Sequence, residues 1–110
     1  MNERIIAALN TTDPVKPNVY TGEATTYYTF NYNTMGANFA DDAPGHERYF
    51  IQVHFVCPVN YDSVSRRVEI KNNLFDAGFT WPSMTDVSDS DRQHWVFECE
   101  YAEGVCDGIV

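Results

Sequence analysis

Three histidines and three cysteines are the side chains of this chain best suited to hold a metal or move a proton. Their spacing decides how far that chemistry can go. His54 and Cys57 stand three apart in a strand-like run, which turns them to opposite faces. Cys57 and Cys99 fall on core-facing registers and could approach each other across a sheet. Cys106 lies near the C-terminus, where nothing would hold it beside a base. No Cys-x-x-Cys and no His-x-x-x-His occurs. The expectation is therefore no metal centre and no disulfide framework, with buried thiols acting as small hydrophobes in a reducing compartment. His54 and His94 fall on outward registers, which makes them the residues to watch in any polar site.

The carboxylates offer less. Asp86-Val-Ser-Asp-Ser-Asp91 places Asp86, Ser88 and Ser90 at loop positions one, three and five of a calcium loop. Asp91 stands where such a loop needs glycine, and Phe97 where it needs a bidentate glutamate, so a solvated turn is expected. Asp41 and Asp42 read as surface charge. Gly-x-Ser-x-Gly and phosphate-cradling glycine patterns are missing, so no enzyme activity and no cofactor are expected.

Charge narrows the partners. Seven Lys and Arg stand against sixteen Asp and Glu, a net charge of −9. That disfavours nucleic acid and anionic membrane surfaces, both of which need clustered cations. Arg66, Arg67 and Lys71 form the one basic cluster, and it lies in a helical segment. No apolar run is long enough to span a membrane, and the N-terminus does not read as a signal peptide. A length of 110 residues with 44% hydrophobic and 15% aromatic residues suits one domain, residues 1–110, with a hydrophobic core.

The elements that would position these groups follow from periodicity. Residues 3–10 read as a short helix with Ile5, Ala8 and Leu9 on one face, and Pro14 follows its end. Residues 17–21 and 24–32 read as two strands of a hairpin, with Tyr28, Phe30 and Tyr32 sharing a face. Asn33 to His46 reads as a long loop. Glu47 to Cys57 is the strongest strand, with Tyr49, Ile51, Val53, Phe55 and Cys57 turned inward. A helix capped by Asp62 or Ser63 runs to about Ala77. Val64, Val68 and Phe75 line one side of it beside Ile70 and Leu74, while Arg66 falls on the polar side. Burial of Leu74 and Phe75 would contribute about 1.5–3 kcal/mol each. Gly78 suits the position just past the helix, where positive φ is tolerated. Residues 79–84 read as an edge strand because of Pro82. His94 to Tyr101 closes the sheet with Trp95, Phe97, Cys99 and Tyr101 inward, and 104–110 reads as a flexible tail. The order α-β-β-β-α-β-β implies an α+β domain of two layers, a mainly antiparallel sheet of about five strands with two helices.

Several phrases carry a family likeness: Val19-Tyr20, Tyr27 to Phe30, Tyr49 to Val53, Asn72 to Phe79, and the closing His94 to Tyr101. In this order, after a short N-terminal helix, they resemble the tail-terminator and tail-completion proteins of long-tailed phages and prophages. The resemblance covers roughly residues 3 to 103. It implies a structural protein that ends the tail tube as a homo-oligomeric ring, typically a hexamer. Its implied partners are itself, the tail tube protein and the head connector, in the host cytoplasm and then in the virion. A small ligand-binding or regulatory module, with a pocket around His54 and His94, is the competing reading.

Overall fold

The computed structural model describes residues 1–36 and 47–103. The chain runs α1 (Asn2–Leu9), β1 (Val15–Pro17), β2 (Tyr27–Gly36), β3 (Glu47–Pro58), α2 (Val64–Asp76), β4 (Ser83–Asp86) and β5 (Arg92–Glu103). The strands form one mixed sheet in the order β1-β2-β3-β5-β4. This is the α+β arrangement that the periodicity implies. No helix among the described residues is long and apolar enough to cross a membrane.

The core lies between the two helices and one sheet face. Tyr28 and Phe30 of β2, Ile51, Val53, Phe55 and Cys57 of β3, and Phe97 and Cys99 of β5 are buried there. Ile5 and Leu9 of α1 and Ile70 and Leu74 of α2 close over them. The period-two alternation of β2, β3 and β5 therefore faces inward as the residue types require.

Arg66 joins the helices. Its Nη2 donates to the Leu9 carbonyl at 3.0 Å, its Nε donates to the Tyr28 hydroxyl, and its Nη1 meets Glu69 at 2.6 Å. A cation thereby meets an end carbonyl of α1, where the helix dipole is negative. The sequence places Arg66 on the polar side of α2, yet its side chain is only 14% exposed. Hydrogen bonds from the guanidinium to α1 and β2 replace the water it loses.

Three expectations about strands need correction. Residues 17–21 do not form a strand, and β1 does not form a hairpin with β2. Positive φ at Asn18 (65°) ends β1, and Val19 N–H turns back onto the Pro17 carbonyl at 2.7 Å. The connector then runs back along the sheet, so β1 pairs parallel with β2, Val15 opposite Tyr28. Tyr20 braces this connector by stacking on Tyr27 (4.5 Å) and accepting the Ala24 N–H (2.9 Å). Gly22 lies so close beneath that a Cβ would come within 2.3 Å of the Tyr20 hydroxyl. Next, Asn33 to Gly36 are not loop; they continue β2, paired with residues 47–50 of β3. Backbone pairing to a long neighbouring strand outweighs their weak strand preference. The rest of that expected loop, with Asp41 and Asp42, and the expected tail with Cys106 lie outside the described residues. Finally, β4 starts later than residues 79–84, at Ser83, and lies at the sheet edge as Pro82 suggests.

Helix α2 departs most from its expected face. Ile70 and Leu74 are buried, but Val64, Val68 and Phe75 are 57%, 51% and 54% exposed. A two-layer domain covers one stripe of a helix, and these three residues lie about 100° or more of arc around from the stripe that Ile70 and Leu74 centre. Phe75 packs instead against Trp81, edge to face at 5.6 Å. Gly78 follows the helix with φ of 103°, the role its position implies.

Candidate functional site

The sheet face away from the helices carries the alternate residues of each strand. Antiparallel pairing of β3 and β5 sets His54 opposite Val96 and Val56 opposite His94, so the two histidines are diagonal neighbours. His54 Nδ1 lies 2.8 Å from His94 Nε2. One ring must donate and the other accept, so at least one of the two is neutral. Partial burial holds both below the ordinary histidine range. His94 lowers His54 further while Glu98 opposes, and Arg92 lowers His94 while Asp89 opposes. Beside this pair Gln52 donates to Glu98 at 2.7 Å, and Arg48 approaches Glu100 at 3.7 Å.

At the β1 side of the same face, Tyr20, Tyr27, Thr29, Val56, Arg92 and His94 border an open cleft of about 300 Å³. Its polar groups include the His94 imidazole, the Arg92 guanidinium and the Tyr27 hydroxyl, the last two 3.5 Å apart, with the Asp89 carboxylate also on its border. Such a cleft can bind a small anionic or aromatic group.

A nucleophile is not delivered to this face. The structure does not bring Cys57 and Cys99 together: Cys57 is opposite Gln93 and Cys99 opposite Ile51. At ~3.3 Å per residue the two thiols are about 20 Å apart along the ladder. Both are free and buried in the core. Burial pushes the Cys57 thiol up and the Cys99 thiol up to about 12. The aspartates of the 86–91 turn are engaged by backbone. Asp86 accepts from Ser88 N–H at 2.9 Å, and Asp89 accepts from Asp91 and Arg92 N–H at 2.8 and 3.0 Å. These bonds hold both carboxyls below the usual range. Among the described residues no group of three or more His, Cys, Asp and Glu converges on a metal-sized space.

The other conspicuous surface is apolar. Val64, Val68 and Phe75 run along the flank of α2 farthest from α1, and Trp81, 54% exposed, continues it toward β4. Large exposed apolar groups side by side are the usual mark of a docking surface. The sequence signal for them was present, because their period marks them as residues meant to be covered. Gln93 is a residue that the sequence did not single out, standing just before the strand expected from His94. It lies in β5, where Nε2 donates to the carbonyls of Pro58 (2.9 Å) and Tyr61 (2.6 Å), and Oε1 accepts from Ser63 (2.7 Å). Gln93 thus fixes the turn that launches α2, a role that only tertiary pairing reveals.

No family model matches the chain, and no curated protein does. One solved structure aligns with 96% of this chain and 96% of its own, with a TM-score of 0.58 and 14% sequence identity. At that identity the likeness speaks for the fold alone.

Proposed function

We propose that this chain is a structural virion-assembly protein of a phage or prophage, one that ends or completes the tail tube and joins it to the head connector as an oligomeric ring. The family likeness of residues 3 to 103 motivates the reading. The observation that carries it furthest is the exposed Val64, Val68, Phe75 and Trp81 flank on a domain of net charge −9. Such a surface calls for a protein partner more than a small substrate. On this reading the protein works in the host cytoplasm and then in the virion, as itself and not as an enzyme. Deleting its gene from the phage or prophage that carries it tests the proposal by electron microscopy of the lysate. Tails of abnormal length or tails lacking heads are expected. Normal, infectious particles would overturn it.

The cleft at Tyr27, Arg92 and His94 favours a second reading, a small ligand-binding or regulatory module. Thermal-shift screening with small carboxylates and aromatic anions distinguishes the two. A ligand whose stabilisation vanishes in Arg92→Ala supports the module.

A further inference from the structure

We propose that the free edge of β4 and the α2 flank above it form a two-fold seam with a second copy of this chain, making a homodimer whose two sheets join edge to edge. This goes beyond the ring reading, because ring contacts within one plane are heterologous whereas a two-fold contact closes on itself.

The two edges of the sheet are not alike. β1 is protected: it has three residues, Pro17 lacks an N–H, and its carbonyl is taken by Val19. β4 is open. Val87 N–H donates to the His94 carbonyl at 2.8 Å, which sets Val87 opposite His94 at a hydrogen-bonding position of the ladder, the His94 N–H itself going to Ser88 Oγ at 2.9 Å. By alternation Thr85 with Val96 and Ser83 with Glu98 are bonded pairs too, and the N–H and C=O groups of Met84 and Asp86 point away from β5. An axis at Thr85 then sets Met84 against Asp86 of the partner subunit, and the reverse, in two reciprocal pairs. The edge is self-complementary.

The helix above fits the same axis. Arg67 lies over the Trp95 ring at 3.9 Å, and Trp95 is opposite Asp86, so residue 67 is level with Asp86. Phe75 meets Trp81, just before β4. Thus α2 runs antiparallel to β4, and Lys71 falls midway, level with Met84. The two-fold brings the partner's Asp86 to that level, so the seam pairs lysine with aspartate. Val68 lies near the axis and meets its own counterpart. Phe75 and Trp81, on the helix side of the sheet, fall level with the partner's 87–91 turn across the seam. Arg67 and Lys71, two of the chain's seven cations, lie on this side of α2 while Arg66 turns to α1, so the flank escapes the repulsion that a net charge of −9 imposes elsewhere.

Analytical ultracentrifugation of the full chain across micromolar to millimolar concentration tests the seam. The mass should approach twice 12.6 kDa. Lys71→Glu should raise the dissociation constant by about tenfold, and Lys71→Glu with Asp86→Lys should recover most of that loss. Trp81→Lys should give monomer, with far-UV circular dichroism verifying the fold of each variant. A monomer at every concentration overturns the seam. So does an assembly indifferent to all three variants, and in that case a larger ring would leave the tail reading standing.

Discussion

His54 Nδ1 and His94 Nε2 lie 2.8 Å apart on the sheet face opposite the helices, a contact that survives only while at least one ring is uncharged. Both rings titrate below the ordinary histidine value because burial disfavours the imidazolium. The unfolded chain therefore binds more protons near pH 6 than the folded one, and stability rises with pH there. The pair's contribution is fully present above the unfolded value of about 6.5 and is lost as pH falls through the lower folded values. Melting temperature measured from neutral pH downward should drop across this window. The double variant His54→Asn with His94→Gln should flatten the drop. An unchanged slope would mean that the pair does not control it. Asp86 and Asp89, depressed by turn hydrogen bonds, act in the same direction but only in the carboxylate range, so the two limbs separate.

Arg66 is the most consequential cation in the fold. Arg66→Ala would take the donor from the buried Tyr28 hydroxyl and leave the Leu9 carbonyl only the longer bond from Asn73 Nδ2 (3.5 Å), at a cost of about 2–3 kcal/mol. Arg66→Lys should recover little, because one ammonium cannot span α1, β2 and Glu69 as the guanidinium fork does. Glu69 is 60% exposed, so Glu69→Ala should cost under about 0.5 kcal/mol. Urea denaturation of the three variants orders them. Equal losses for Arg66→Ala and Glu69→Ala would reduce Arg66 to a surface ion pair.

Neighbouring residues of α2 should behave oppositely. Leu74 is fully buried, so Leu74→Ala should cost about 2–5 kcal/mol. Phe75 is 54% exposed, and in dilute monomer Phe75→Ala should cost under about 1 kcal/mol. The same denaturation measurements read the helix register directly. Similar losses at both positions would mean that the helix is rotated from the face described.

How much of this was legible from residues depends on which neighbour a side chain answers to. Core registers of β2, β3 and β5 were legible because alternation is local: Phe30, Val53 and Phe97 point inward as their strands dictate. The outward directions of His54 and His94 were legible for the same reason. Their contact was not, because it depends on cross-strand register, which a single strand does not encode. Arg66 and Phe75 exchanged their expected environments, since helical period separates stripes but does not say which stripe the sheet takes. β1 was misplaced because Val-Tyr looks like strand, while the positive φ of Asn18 and the parallel return through Tyr20 are decided by tertiary contacts.

Thiol chemistry gives the last test. Cys57 and Cys99 are buried in the core, about 20 Å apart along the ladder at ~3.3 Å per residue. Burial raises both, Cys99 to about 12, so thiolate at neutral pH is scarce and reagent access is blocked. In a Cys106→Ser background, a disulfide-exchange reagent should find no reactive thiol in the folded protein and two after denaturation. The rate at low denaturant should follow the opening of the core, so Leu74→Ala should accelerate labelling of Cys57 and Cys99. An oxidised sample should gain no intramolecular bridge between them, since a disulfide needs Cα atoms within about 7 Å. Fast labelling of either thiol under native conditions would show that the β3 and β5 core opens without global unfolding, and would contradict the burial on which the core rests.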